Sequence, residues 1–299
     1  MSDANASSKP DLTGRIALVT GASRGAGRAI AVELGAAGAT VYVTGRTTAS
    51  TASPMQRAET IDETANLIDE AGGHGIAIRA DHQDRDQVEA VAERIRSDHG
   101  RLDVLVNDIW GGDPLTQWEV PFWEQDLDQG LGLLRQGINT HITTSVIMAP
   151  LVLQSEHGLI VEVTDGVSSR YRGSLFYDLV KSSVIRLAIA QGEELRERGV
   201  AAVAVSPGFL RSEAMLDRFG ITEATWRDAI AQDEHFEFSE TPHYLGRAIA
   251  CLAADLKRME LTATATATWE LVNRYGFTDI DGSQPRWGDH MRAAMGLEP

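Results

Sequence analysis

Six short apolar runs, at residues 16–20, 40–44, 75–79, 104–107, 159–164 and 200–206, alternate along this chain with longer stretches of helical period. Those stretches cover 24–37, 60–70, 85–98, 138–154, 176–198 and 242–254, and their apolar residues recur every three or four positions. Each short run is rich in Val, Ile, Leu or Ala, as strands buried on both faces must be. Strand and helix in strict alternation predict an α/β fold, a doubly wound parallel sheet with helices on both faces. A seventh strand is expected within 261–271, where TATATATW alternates at period two, although helix formers are mixed in. No repeat or linker divides the chain, so residues 13–299 read as one domain behind a polar, acidic, disordered lead at 1–12. That lead lacks the basic start and apolar stretch of a secretory signal.

At 299 residues the chain is long enough to bury a large core. Its charge narrows the partners: 27 Lys and Arg against 43 Asp and Glu leave a net −16, which gives no general attraction to nucleic acid or an anionic membrane. The lone cysteine, Cys251, excludes an internal disulfide and a cysteine-built zinc site, and it fits a reducing, cytoplasmic compartment. Apolar runs stay far short of the ~20 residues that a membrane span needs. The histidines show no HExxH or comparable spacing, so no metal is expected.

The first apolar run leads directly into Thr20-Gly21-Ala22-Ser23-Arg24-Gly25-Ala26-Gly27. Gly21 permits a tight turn, Gly25 lets backbone amides approach a pyrophosphate, and Gly27 lets the following helix pack against the strand with its N-terminus on the phosphate. A glycine triplet alone is a weak signal. Placed between the first strand and first helix of such an alternation, it predicts dinucleotide binding.

This TGxxxGxG spacing resembles the short-chain dehydrogenase/reductase family. Tyr177 and Lys181 form YxxxK within the fifth helical stretch, Asn107 closes the fourth strand where the family has Asn-Asn-Ala-Gly, and Pro207-Gly208 follows the sixth. The tail Tyr275-Gly276-Phe277-Thr278-Asp279-Ile280-Asp281-Gly282 looks like a branch of dehydrogenase/reductase member 1-like proteins. The resemblance implies a Rossmann-type oxidoreductase that interconverts a carbonyl and a secondary alcohol. The implied cofactor contacts come from Gly21, Ser23, Arg24, Gly25, Ala26, Gly27, Asn107, Tyr177, Lys181, Pro207, Gly208 and Leu210. Asp81 and His82 fall where the family holds the adenine edge, and Ser212 stands in the place of the usual threonine.

The second strand ends Val43-Thr44-Gly45-Arg46, with no Asp or Glu to accept from an adenosine ribose. Arg46, with Arg24 as a second cation, favours a 2′-phosphate and so NADP(H) over NAD(H). Tyr177 and Lys181, four apart, share one helix face. A nearby ammonium favours the phenolate, suiting Tyr177 to acid/base work, and the family lysine also binds the nicotinamide ribose.

Two positions depart from the family pattern. Thr164 stands thirteen residues before Tyr177, where serine is usual, and Asp165 takes the next place. Because an ionised carboxylate has no proton to donate, Thr164 is the expected group to polarise a carbonyl, with Ser168 and Ser169 as more distant candidates. The helix asparagine of the family falls on Gly137. Asn139, two residues on, would face elsewhere on a regular helix unless the helix bulges there. A catalytically silent nucleotide sensor, and a lyase or epimerase using the same Tyr-Lys pair, remain open alternatives. The substrate is expected to be a small, partly apolar carbonyl or alcohol. Aromatic-rich stretches at 110–126 and 209–240 are the expected pocket walls, and 255–299 reads as a C-terminal extension. Family members pair through the helices here expected at 138–154 and 176–198, which implies a homodimer or homotetramer with His141, Met148 and Ile189 on the faces concerned.

Overall fold

The computed structural model describes residues 10–53, 57–168 and 170–294. Seven parallel strands, β1 (Ile16–Thr20), β2 (Thr40–Gly45), β3 (His74–Arg79), β4 (Val104–Asn107), β5 (Leu159–Val163), β6 (Ala201–Ser206) and β7 (Thr264–Ala267), form one sheet in the order β3-β2-β1-β4-β5-β6-β7. Strand order reverses between β1 and β4, which opens a crevice at the carboxyl ends of the strands.

Helices cover both faces. On one, α1 (Gly25–Ala36), α2 (Ile61–Glu70) and α8 (Pro242–Ala254) close over β1 and β2, with Ile30, Leu34, Ile68, Leu245 and Ile249 fully buried. On the other, α3 (Arg85–His99) and α5 (Thr140–Val152) bury Val88, Val91, Ile95, Met148 and Leu151. Between α3 and α5 lies α4 (Leu127–Leu134), and α6 (Leu175–Leu195) follows β5. The sheet and its helices thus fix the positions of the loops at the crevice.

Several expectations change. The expected boundary at 12 moves, because Leu12 is buried and its N–H donates to the Ala37 carbonyl at 2.7 Å; the rest of the expected lead, residues 1–9, lies outside the described residues. The alternating run at 261–271 is strand only over Thr264–Ala267, and α9 (Thr268–Tyr275) takes its second half. Glu270 accepts the Ala267 N–H at 3.2 Å and caps that helix start. The stretch 209–240 contains α7 (Glu213–Phe219) and two 3-10 turns, while Trp226 and Phe236 form a small core of their own. Past α8, the chain adds β7 to the same sheet and ends in α10 (Trp287–Ala294), whose Trp287 reaches back to the crevice. His141 and Met148 are buried within the protomer, at 2% and 0% exposure, and are not available to a partner chain.

Candidate active site

The crevice at the strand ends holds a cleft of about 550 Å³. One wall is the glycine loop. Gly21 adopts φ +76°, and a Cβ there would lie 2.3 Å from the Asp108 carbonyl oxygen, so the tight turn requires glycine. A Cβ on Gly27 would come within 2.5 Å of the Gly21 carbonyl, which brings α1 directly against the turn. Ser23, Arg24, Gly25 and Ala26 line the cleft, and Gly27 packs behind them. The Gly25 N–H donates to the Glu213 carboxylate at 2.9 and 3.2 Å. The positive end of α1 therefore already holds an anionic group, the property a pyrophosphate site needs.

Arg46 lines the same cleft, half-buried, and forms no ion pair among the described residues. Asp81 and His82 lie beyond it. His82 is buried between the Thr44 hydroxyl at 2.8 Å and the Thr144 hydroxyl at 2.7 Å, and burial pushes its imidazole down to about 4. It is a neutral ring that ties β2 to α5. Pro207, Gly208 and Leu210 form the opposite wall. A Cβ on Gly208 would approach the Trp287 Cβ to 2.6 Å, so the C-terminal helix packs onto this turn.

Tyr177 and Lys181 project from α6 into the cleft, as their spacing predicts. The rings of Trp110 and Trp118 stand 5.6 and 4.9 Å from the Tyr177 ring. Burial, and then the adjacent Asp165, hold the phenol well above its ordinary range, so Tyr177 carries its proton. Burial also lowers the Lys181 ammonium, which sits 4.3 Å over the Trp110 ring.

Thr164 departs from expectation. Its hydroxyl donates to the Lys181 carbonyl oxygen at 2.9 Å and is 2% exposed, so its single hydrogen is committed to the helix backbone. The group that meets Tyr177 is Asp165, whose Oδ2 accepts the phenol hydrogen at 2.8 Å. Both residues line the cleft, but the Thr164 hydroxyl turns to α6 while the Asp165 carboxylate opens toward Tyr177. Ser168 instead accepts the Arg170 N–H, and Ser169 lies outside the described residues.

Asn107 also turns away from the cleft. Fully buried, it donates to Ser145 at 2.8 Å and to Glu162 at 3.0 Å, and Glu162 in turn faces His141 Nδ1 at 2.7 Å. Asn107 thereby ties the end of β4 to β5 and α5, a supporting place and not a cofactor contact.

A π-helical turn spans Arg135–Asn139, so the helix does bulge at Gly137. Asn139 nevertheless faces solvent. A Cβ on Gly137 would approach Val180 to 2.6 Å and the Trp110 ring to 3.2 Å, which leaves no room for an asparagine. Sequence reasoning missed Trp110 as the neighbour of Lys181, as well as Asp108. Burial pushes the Asp108 carboxyl up to about 7, and it accepts the Gly27 N–H. The only sequence signal for Asp108 was its place as second residue of the family's Asn-Asn pair.

A doubly wound sheet with a glycine turn at its switch point, and a Tyr-Lys pair at the same crevice, defines a dinucleotide-dependent dehydrogenase or reductase. The model of the short chain dehydrogenase family matches residues 15–219, and the chain belongs to that family. It is 33% identical over 276 residues to dehydrogenase/reductase SDR family member 1 of Mus musculus, spanning 91% of this chain and 85% of that one. It is also 33% identical over 200 residues to a 3-oxoacyl-[acyl-carrier-protein] reductase of Staphylococcus aureus, 66% of this chain and 75% of the relative. A solved structure assigned as an NAD(P)-dependent gluconate 5-dehydrogenase of Beutenbergia cavernae, with NADP bound at low occupancy, superposes with TM-score 0.69 at 26% identity. That alignment covers 87% of this chain and 97% of the other.

Proposed function

We propose that this oxidoreductase uses NADP(H) to interconvert a carbonyl and a secondary alcohol, with Tyr177 as the acid/base. The observation that carries the reading is that the protonated Tyr177 hydroxyl and the Lys181 ammonium open into the same cleft as the glycine turn. The cofactor supplies or accepts a hydride when bound. Gly21 and Gly25 leave space for its pyrophosphate, which the N-terminus of α1 favours in place of the Glu213 carboxylate. Arg46 lines the cleft as a cation with no ion pair among the described residues, which supports a cofactor that carries a 2′-phosphate.

In reduction, Tyr177 hands its proton to the oxygen of the acceptor. In oxidation, it takes that proton back. Lys181, on the same helix face, stabilises the phenolate between these events, and its place over Trp110 holds the ammonium beside the ring. Thr164 positions α6, and through it the pair. The lone Cys251 and the acidic surface accord with a cytoplasmic protein acting on a small, partly apolar molecule. Steady-state consumption of NADPH and NADH over a panel of neutral ketones tests this reading. Turnover with NADPH ahead of NADH supports it, and tight NADPH binding with no turnover of any ketone contradicts it.

A further inference from the structure

Asp165 meets the Tyr177 hydroxyl in the cleft, beside the place a substrate oxygen would take, yet a carboxylate only accepts. Its main chain is pinned: Arg172 Nε donates to the Asp165 carbonyl, and the next residue's N–H, Gly166, donates to Ser206 Oγ at 2.7 Å. The carboxylate itself is open to the cleft and forms no ion pair among the described residues. Of the neighbouring cations, Arg172 pairs with Asp178 at 2.8 Å, and the Lys181 ammonium feels Asp165 through space without forming an ion pair with it. Among the described residues the Asp165 carboxylate thus has one hydrogen-bond partner, the Tyr177 hydroxyl at 2.8 Å.

That hydroxyl has one hydrogen. When Tyr177 turns it toward a substrate oxygen, Asp165 loses its donor and faces the developing alkoxide as a like charge. A substrate whose neighbouring carbon bears a cationic donor removes both problems. We propose that Asp165 selects ketones with an ammonium on the adjacent carbon, interconverted with vicinal amino alcohols. This rests on the hydride-transfer reading given above.

The spacing fits. The oxygen and nitrogen of a gauche vicinal amino alcohol stand about a hydrogen-bond length apart, as do the Tyr177 and Asp165 oxygens, so the two pairs can lie side by side. The wall suits the apolar body, because Trp110 lines the cleft beside Tyr177 with its ring face already held by the Lys181 ammonium, which leaves Asp165 as the group to meet a substrate cation. In the oxidation, the carbinol C–H bond breaks and its hydride reduces NADP⁺ to NADPH. The O–H proton passes to the Tyr177 phenolate as the C=O bond forms. The ammonium stays on Asp165, unchanged.

The test compares phenylethanolamine with α-ethylbenzyl alcohol, in which methyl replaces the ammonium, as substrates for NADP⁺ reduction at neutral pH. We expect kcat/KM for the amino alcohol to exceed that of the methyl analogue by about 10-fold or more, the usual effect of a hydrogen bond between charged groups. Asp165→Asn and Asp165→Ser should abolish this ratio while NADP⁺ binding, followed by fluorescence, stays unchanged. A ratio near one in the wild type, or a ratio that survives both substitutions, overturns the proposal. Turnover confined to substrates without a vicinal amine overturns it too and leaves the hydride-transfer reading intact. No turnover of either alcohol, or of any ketone in the reverse direction, overturns both.

Discussion

The Thr164 hydroxyl lies 2.9 Å from the Lys181 carbonyl oxygen, joining the end of β5 to the helix turn that carries Lys181. Its effect on chemistry is therefore indirect. Thr164→Ala should lower stability by about 1 kcal/mol, a fall in Tm of about 2–4 °C, because one buried hydrogen bond is lost. The loss in kcat should stay within about tenfold, well short of the 10²–10³ expected for a donor to a developing oxyanion. Thermal melts and turnover of the same preparation check this, and a loss of 10² or more with unchanged Tm would return Thr164 to the reacting oxygen.

Cofactor choice turns on Arg46. Arg46→Asp removes a charge-assisted contact to the 2′-phosphate and supplies a ribose acceptor, so the NADPH/NADH preference should fall by roughly tenfold or more. Titration of both cofactors measures it. An unchanged ratio would mean that Arg46 faces solvent in the complex.

Glu240, buried beneath the Gly208 turn, accepts from Thr268 at 2.7 Å, and burial raises its carboxyl to about 8. Its folded pKa lies above the unfolded value of 4.5, so the folded state holds the proton more tightly. The resulting stability is complete below pH ~4.5 and is lost as pH rises toward 8. Glu240→Gln keeps the acceptor for Thr268 without the titration. Urea melts between pH 5 and 9 should show a decline in the wild type that flattens in the variant.

Expected self-association cannot use His141 or Met148, whereas Ile189 is only half-buried. With His141 and Met148 buried, the outward apolar side chains are Ile142 and Val146 on α5, at 43% and 67% exposure, and Leu179 on α6 at 43%. Ile142 and Val146, four apart, share one face. Light scattering should give a multiple of 32.4 kDa, and Val146→Glu should shift the mass toward the protomer. A wild-type mass of 32.4 kDa would contradict the expected pairing.

The sheet was legible because strands buried on both faces must be apolar runs, and β1 and β4 fall where their Val and Leu residues predict. The period was hidden where glycines interrupt it: α4, Leu127–Leu134, contains Gly130 and Gly132 and lies outside the stretches of helical period. Residue spacing located Tyr177, Lys181 and the glycine turn, since those depend on local geometry along one element. It could not show which of Thr164 and Asp165 turns to the cleft, because that depends on where α6 packs against the end of β5. Nor could it place Trp110 over Lys181, a contact between side chains 71 positions apart in the sequence.

The central claim, hydride transfer with Tyr177 as proton donor, is tested most directly with NADPH carrying deuterium at both C4 positions of the nicotinamide ring and an aryl ketone substrate. Mass spectrometry of the alcohol should find the deuterium on the carbinol carbon. Tyr177→Phe should cut that product by about 10²–10⁴, the usual contribution of a positioned proton donor, with NADPH affinity near wild type. Deuterium transfer at the wild-type rate by Tyr177→Phe, or an alcohol without the label, would contradict the account.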